Sequence, residues 1–241
     1  MAIMSASERL ISADKSVIPA ADVPVDLYPR LLKSISGIPK IEAVKTGFAL
    51  GYRMSLPRVV ELAHEAGFKV IHDHQKAGTD IPDTGKEYAA VCKEAGVDAV
   101  IVFPESGPVT GEAWIKALQD AGIYVVVGGE MTHRGYKRSE GGYIADEALE
   151  EMYRLGAENG VTSFVVPGNR VERVAIYKKI LDERLGEGRY DFMSPGFIAQ
   201  GGKIESYAEL AGSRWHAITG RAIYSAPDMR LAAEQMTSQI R

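Results

Sequence analysis

Three observations on the 241-residue sequence point to a closed barrel of eight β/α units. Short apolar runs of strand character alternate with amphipathic stretches of helical period along the whole chain, the pattern of a parallel sheet covered by helices. Eight such pairs fit within a length that one closed barrel commonly occupies as a single domain, here residues 1–241. An open doubly wound sheet would show fewer strands and usually a Gly-rich phosphate loop after its first strand, and none follows the first run here. The class is therefore α/β, a (β/α)8 TIM barrel.

In chain order the strands are expected at Leu10–Asp14, Ile41–Gly47, Phe68–Asp73, Ala99–Phe103, Tyr124–Gly129, Ser163–Val166, Tyr190–Ser194 and Trp215–Thr219. The helices fall between them. Segment 55–66 shows the period well, with Leu56, Val59, Val60 and Ala63 on one stripe and Ala66-Gly67 as its stop. Segments 85–96, 111–122 and 146–157 end in the same way, each with a glycine near the C-terminus.

Composition is that of an ordinary folded protein: 46% apolar, 25% charged, 25 Gly and 11 Pro, with no linker or low-complexity tract. A net charge of −4 gives no basic surface for nucleic acid, so a bound phosphate is expected on a small molecule. A single cysteine, Cys92, excludes an intrachain disulfide and zinc sites built on paired cysteines, and its helical setting makes it a small core residue. No run approaches the ~20 apolar residues of a membrane span and the N-terminus lacks a basic-then-apolar leader, so a soluble, cytoplasmic protein is expected.

In this fold function sits on the loops at the C-terminal strand ends. The densest is 70–85, Val-Ile-His-Asp-His-Gln-Lys-Ala-Gly-Thr-Asp-Ile-Pro-Asp-Thr-Gly, where a buried strand runs into Asp73, Lys76 and Asp80. Acid and base groups where a strand opens into a loop are where perturbed protonation and chemistry concentrate. Strand two carries Lys45 between Val44 and Phe48. A lysine in an apolar strand costs several kcal/mol to desolvate unless an acid partners it, and Asp14 and Asp73 on neighbouring strands are the expected partners. After strands seven and eight come Ser194–Gly202 and Thr219–Tyr224, Gly-rich and leading into helices. Backbone N–H groups there can approach an anion closely, and Arg221 adds a bidentate clamp.

Taken together, Ala13-Asp14, Val44-Lys45-Thr46-Gly47, Asp73…Lys76…Asp80-Ile81-Pro82-Asp83-Thr84, Glu130-Met131-Thr132-His133, Ser194-Pro195-Gly196…Ala199-Gln200-Gly201-Gly202 and Gly220-Arg221-Ala222-Ile223-Tyr224 resemble the orotidine 5′-monophosphate decarboxylase family over nearly the whole chain. The resemblance implies a cofactor-free carboxy-lyase that converts orotidine 5′-monophosphate to UMP in pyrimidine synthesis. It implies a catalytic network of Lys45, Asp73 and Lys76 in one subunit of a homodimer, with Asp80 lent by the other. It also assigns Asp14 to the ribose, Thr132 to the pyrimidine, Gln200, Gly220 and Arg221 to the phosphate, Pro195 and Gly201 to the substrate loops, and Ile81 and Thr84 to the partner's site.

One departure bears on the chemistry. The family writes its core as Asp-x-Lys-x-x-Asp, whereas here one residue is inserted before the lysine and one after it. Period-2 alternation would point Asp73 and Lys76 to opposite faces unless the strand ends or bulges between them. Otherwise Gln75 takes the lysine's place, and an amide has no acidic proton to give. His72 and His74 flank the charges, read as strand-end side chains with one facing the barrel's helices rather than as a metal pair. Two rivals remain at this stage: a Mg²⁺-dependent relative resembling 3-keto-gulonate 6-phosphate decarboxylase, and a noncatalytic nucleotide-binding barrel.

Overall fold

The computed structural model describes residues 9–74, 80–196 and 210–240. These contain eight strands: β1 Lys15–Pro19, β2 Ala43–Gly47, β3 Lys69–Asp73, β4 Ala99–Val102, β5 Tyr124–Gly128, β6 Ser163–Val165, β7 Asp191–Pro195 and β8 Trp215–Thr219. All neighbours pair in parallel in the order β1-β8-β7-β6-β5-β4-β3-β2. Between β1 and β2 the ring closes through a parallel bridge at Ala20 and Lys45, where Ala21 N–H donates to the Lys45 carbonyl at 2.8 Å. The result is the expected eight-stranded barrel.

Helices α1 Leu27–Ile35, α2 Phe48–Met54, α3 Leu56–Glu65, α4 Thr84–Glu94, α5 Pro108–Asp120, α6 Asp146–Glu158 and α7 Val171–Leu185 follow successive strands, and α8 Arg221–Tyr224 and α9 Met229–Gln239 follow β8. Val59, Val60 and Ala63 form the buried stripe of α3, and Cys92 is fully buried on α4. The glycines that stop α3, α4, α5 and α6 (Gly67, Gly96, Gly122 and Gly160) all have positive φ, the left-handed conformation that closes a helix at least cost to glycine.

Two apolar layers result from strand alternation. Val44, Val70, Val100, Val125 and Val127 face outward into the layer packed by the helices, while Ala43, Ile71, Ile101 and Val126 face inward. On β1 the inward phase runs Ile18, Ala20 and then Asp22, with Val17 and Ala21 outward.

The first strand differs from expectation. It begins at Lys15, where the segment Leu10–Asp14 had been expected to form it. Leu10 and Ile11 are apolar because they plug the base of the barrel among the inward residues, and Ser12 and Ala13 N–H groups bond the Glu42 carboxylate at 2.8 and 2.9 Å. The paired run is the one holding Pro19, whose missing N–H argues against a strand in a sequence-level reading.

Candidate active site

At the C-terminal end of the barrel the inward phase of the strands encloses a cavity of about 470 Å³. Its wall includes Asp22 after β1, Lys45 on β2, Asp73 at the end of β3, Met131 and Thr132 after β5, Pro195 and Gly196 at the end of β7, and Gly220 and Arg221 after β8. That volume falls within the range usual for small-molecule sites.

A buried charge cluster forms part of the wall. The Lys45 ammonium lies 2.5 Å from Asp73 Oδ2 and 3.6 Å from Asp22 Oδ2. Lys45 is 6% exposed and Asp73 is fully buried. Burial alone would depress the lysine's pKa, but the charges of Asp73 and Asp22 outweigh it, so the ammonium is held above its ordinary value and stays protonated. The other Asp73 oxygen, Oδ1, is buried without a hydrogen-bond partner among the described residues.

Arg221 stands on the cavity wall as an exposed cation with no ion pair among the described residues. Beside it Gly220 is closely approached: a Cβ there would lie 3.3 Å from the Ala20 carbonyl oxygen and 3.2 Å from Tyr224 Cε1, so a side chain would fit only if its neighbours shifted by a few tenths of an ångström. An open cation flanked by bare backbone is suited to an anionic group.

The loop bearing Thr132 is braced from behind. Glu130, 1% exposed, accepts from Arg170 Nη1 and Arg173 Nε, each at 2.9 Å, and from the Tyr177 hydroxyl, with Lys137 Nζ at 3.4 Å. Arg170 also donates to the His133 carbonyl at 3.1 Å and to Glu140. These bonds tie residues 130–140 to the start of α7 and fix the approach of Met131 and Thr132 to the cavity.

The sequence-expected residues divide into four groups. Lys45, Asp73, Thr132, Pro195, Gly220 and Arg221 meet at the cavity. Lys76, Gln200 and Gly201 lie outside the described residues. Asp80, Ile81 and Thr84 lie away from the cavity in their own chain, before and at the start of α4, with the Ile81 side chain exposed.

Asp14 requires correction. It precedes β1 at the opposite rim, 66% exposed, paired with Arg9 at 3.1 Å and 3.7 Å from Arg214, because the first strand starts after it rather than ending at it. The acid that meets Lys45 from β1 is Asp22, which sequence reasoning missed. Its signal was available in the alternation of Val17, Ile18, Ala20 and Ala21, which carries Asp22 inward.

His72 and His74 both point outward to the helices, against the ring of Tyr88, where one of the two was expected to do so. Burial lowers the pKa of each, His72 to about 4, so both are neutral near pH 7.

Residues 15–236 match the family described as Orotidine 5'-phosphate decarboxylase / HUMPS family. Among curated proteins, the "Orotidine 5'-phosphate decarboxylase" of Methanosarcina barkeri is 36% identical over 200 residues, 83% of each chain. Among solved structures, orotidine 5'-phosphate decarboxylase from Pyrococcus horikoshii OT3 superposes with a TM-score of 0.75 at 25% identity, covering 92% of this chain and 98% of that one. The Methanocaldococcus jannaschii orotidine 5'-monophosphate decarboxylase complexed with the inhibitor BMP has the same fold, with a TM-score of 0.79 at 22% identity over 94% of this chain and 99% of that one. With a family match running from β1 to α9 and a relative this similar over most of its length, the chain belongs to the Orotidine 5'-phosphate decarboxylase / HUMPS family.

Proposed function

We propose that this protein decarboxylates orotidine 5′-monophosphate to UMP without a cofactor, using an ammonium group to stabilise and protonate the carbanion left at C6. The observation that carries the reading is the buried Lys45–Asp73–Asp22 cluster in the wall of a nucleotide-sized cavity that also presents Arg221, a cation with no ion pair among the described residues.

When the C6–carboxylate bond breaks, its electron pair stays on a vinyl carbon with no adjacent electron sink, and CO₂ leaves. Stabilisation must then come from preorganised charge. Lys45 is committed to two carboxylates, so a second ammonium is needed beside C6 to stabilise the carbanion and give it a proton. Lys76, three residues beyond Asp73 in sequence, is our assignment for that group, and the buried Asp73 Oδ1 has capacity for one more donor to hold it. Gln75 would lack the proton. Asp22 takes the role first expected of Asp14, on the ribose side of the cluster. Thr132 contacts the pyrimidine, Pro195 and Gly201 flank the substrate, and Gln200, Gly220 and Arg221 hold the phosphate. Binding energy from the phosphate drives exclusion of water from the reacting centre.

The same reading makes the enzyme a homodimer in the cytoplasm. Asp80, Ile81 and Thr84 line no part of their own chain's cavity, and Ile81 is 59% exposed, which supports their service to a partner's site. Asp80 then supplies the further carboxylate that balances Lys45 and Lys76. The test is direct: purified protein should remove the orotidylate absorbance and form UMP in equal amount, and an inert protein that still binds UMP would favour the noncatalytic reading.

A further inference from the structure

The connection between Asp73 and Asp80 contains Lys76 and is two residues longer than the family pattern. Its two described flanks meet one side chain. Before it, His74 lies against the Trp114 indole, ring centroids 4.9 Å apart and planes 23° from parallel. After it, the Ile81 carbonyl accepts from Trp114 Nε1 at 3.0 Å and from Thr84 Oγ1 at 2.8 Å. Tyr88 on α4 completes the group, 4.2 Å from the His74 ring and 5.0 Å from the indole.

Trp114 is itself fixed. It is 6% exposed in the middle of α5, and Gly85 makes room for it: a Cβ at Gly85 would lie 2.9 Å from Trp114 Cδ1, the carbon bonded to the donating Nε1. Only a residue without a side chain at the second position of α4 lets the indole's N–H edge reach Ile81.

We infer that Trp114 is a positioning residue for the 74–81 connection, its indole face fixing where the chain leaves β3 and its N–H fixing where the chain enters α4. The inference rests on the proposed roles of Lys76 and Asp80, which this connection carries. A longer connection costs more conformational entropy to order between its ends, and holding both ends lowers that cost. The ring stack and the indole hydrogen bond supply that restraint from a rigid helix.

Hydrogen exchange and steady-state kinetics on full-length variants test this. Trp114→Phe keeps an aromatic face for His74 and deletes the N–H donor. We expect amide exchange at His74 and across 80–84, the described ends of the connection, to rise about tenfold or more with the strands and the rest of α5 unchanged. We expect kcat on orotidylate to fall about tenfold or more while KM moves less than about threefold, since the groups affected act in the transition state. His74→Phe should match wild type in both measurements, and His74→Ala should resemble Trp114→Phe. Wild-type exchange at His74 and across 80–84 in Trp114→Phe and His74→Ala would overturn the inference. So would exchange that rises evenly through β4 and α5, which marks a plain core residue. Exchange needs no substrate, so a wild-type protein inactive on orotidylate would defeat the proposed function while leaving the exchange arm to decide this inference separately.

Discussion

Replacing Lys45 with methionine tests whether the buried ion pair is as tightly coupled as its geometry indicates. The ammonium is 2.5 Å from an Asp73 carboxylate that is fully buried, and Asp22, at 3.6 Å, is partly exposed. Removing one member of a buried pair costs about 3–5 kcal/mol because the other charge is left uncompensated. Because Asp22 and the cavity leave the cluster partly open to solvent, the loss for Lys45→Met should be near the low end, about 3 kcal/mol. The double variant Lys45→Met/Asp73→Leu removes both charges and fills the space with apolar atoms, so it should recover about 2 kcal/mol or more of that loss relative to Lys45→Met. Urea denaturation followed by circular dichroism near neutral pH, with the denaturant slope unchanged between variants, measures all three. A single variant that loses less than about 1 kcal/mol, together with no recovery in the double variant, would refute the coupling.

Arg221→Ala should raise KM by about ten- to a hundred-fold, the cost of losing a charge-assisted contact to phosphate, and should leave the binding of a nucleoside without phosphate unchanged. Stability should fall on acidification. His72 is held to about 4 by burial and by the neighbouring His74, against 6.5 when unfolded, so the unfolded chain takes up a proton that the folded chain refuses. The contribution is fully present above pH 6.5 and is lost as pH falls toward 4, up to about 3 kcal/mol, and His72→Leu should flatten the loss measured by denaturation across that window. Homodimers of Lys76→Ala and of Asp80→Ala should each be nearly inactive, whereas mixed subunits form heterodimers with one intact site and should regain activity. Activity still absent after verified subunit exchange would assign Asp80 to its own chain.

The parts of the fold legible in the sequence were those whose local pattern and tertiary role agree. Val70-Ile71, Val100-Ile101 and Val125-Val126-Val127 are β-branched runs buried on both faces, and they read as strands because nothing else suits them. Lys45 was legible because an ammonium inside such a run demands an acid. Leu10-Ile11 misled because a plug and a strand have the same hydropathy, and the true first strand contains Pro19. Once β1 was set too early, its acid was taken as Asp14, and Asp22 was passed over although it stands two residues past the inward Ala20. The brace around Glu130 was not legible at all: Lys137, Arg170 and Arg173 stand 7, 40 and 43 residues from it in sequence, and only the packing of the 130–140 loop on α7 brings them to one carboxylate. Trp114 is likewise an unremarked apolar helix residue until the fold sets it between His74 and Ile81.

The most direct measurement is release of labelled CO₂ from carboxyl-labelled orotidine 5′-monophosphate by exhaustively chelated protein. The account predicts one CO₂ released for each UMP formed, at a rate unchanged by the chelator, because the charge-stabilising work is assigned to ammonium groups. No release from the folded protein, or release that vanishes on chelation and returns with Mg²⁺, would contradict it.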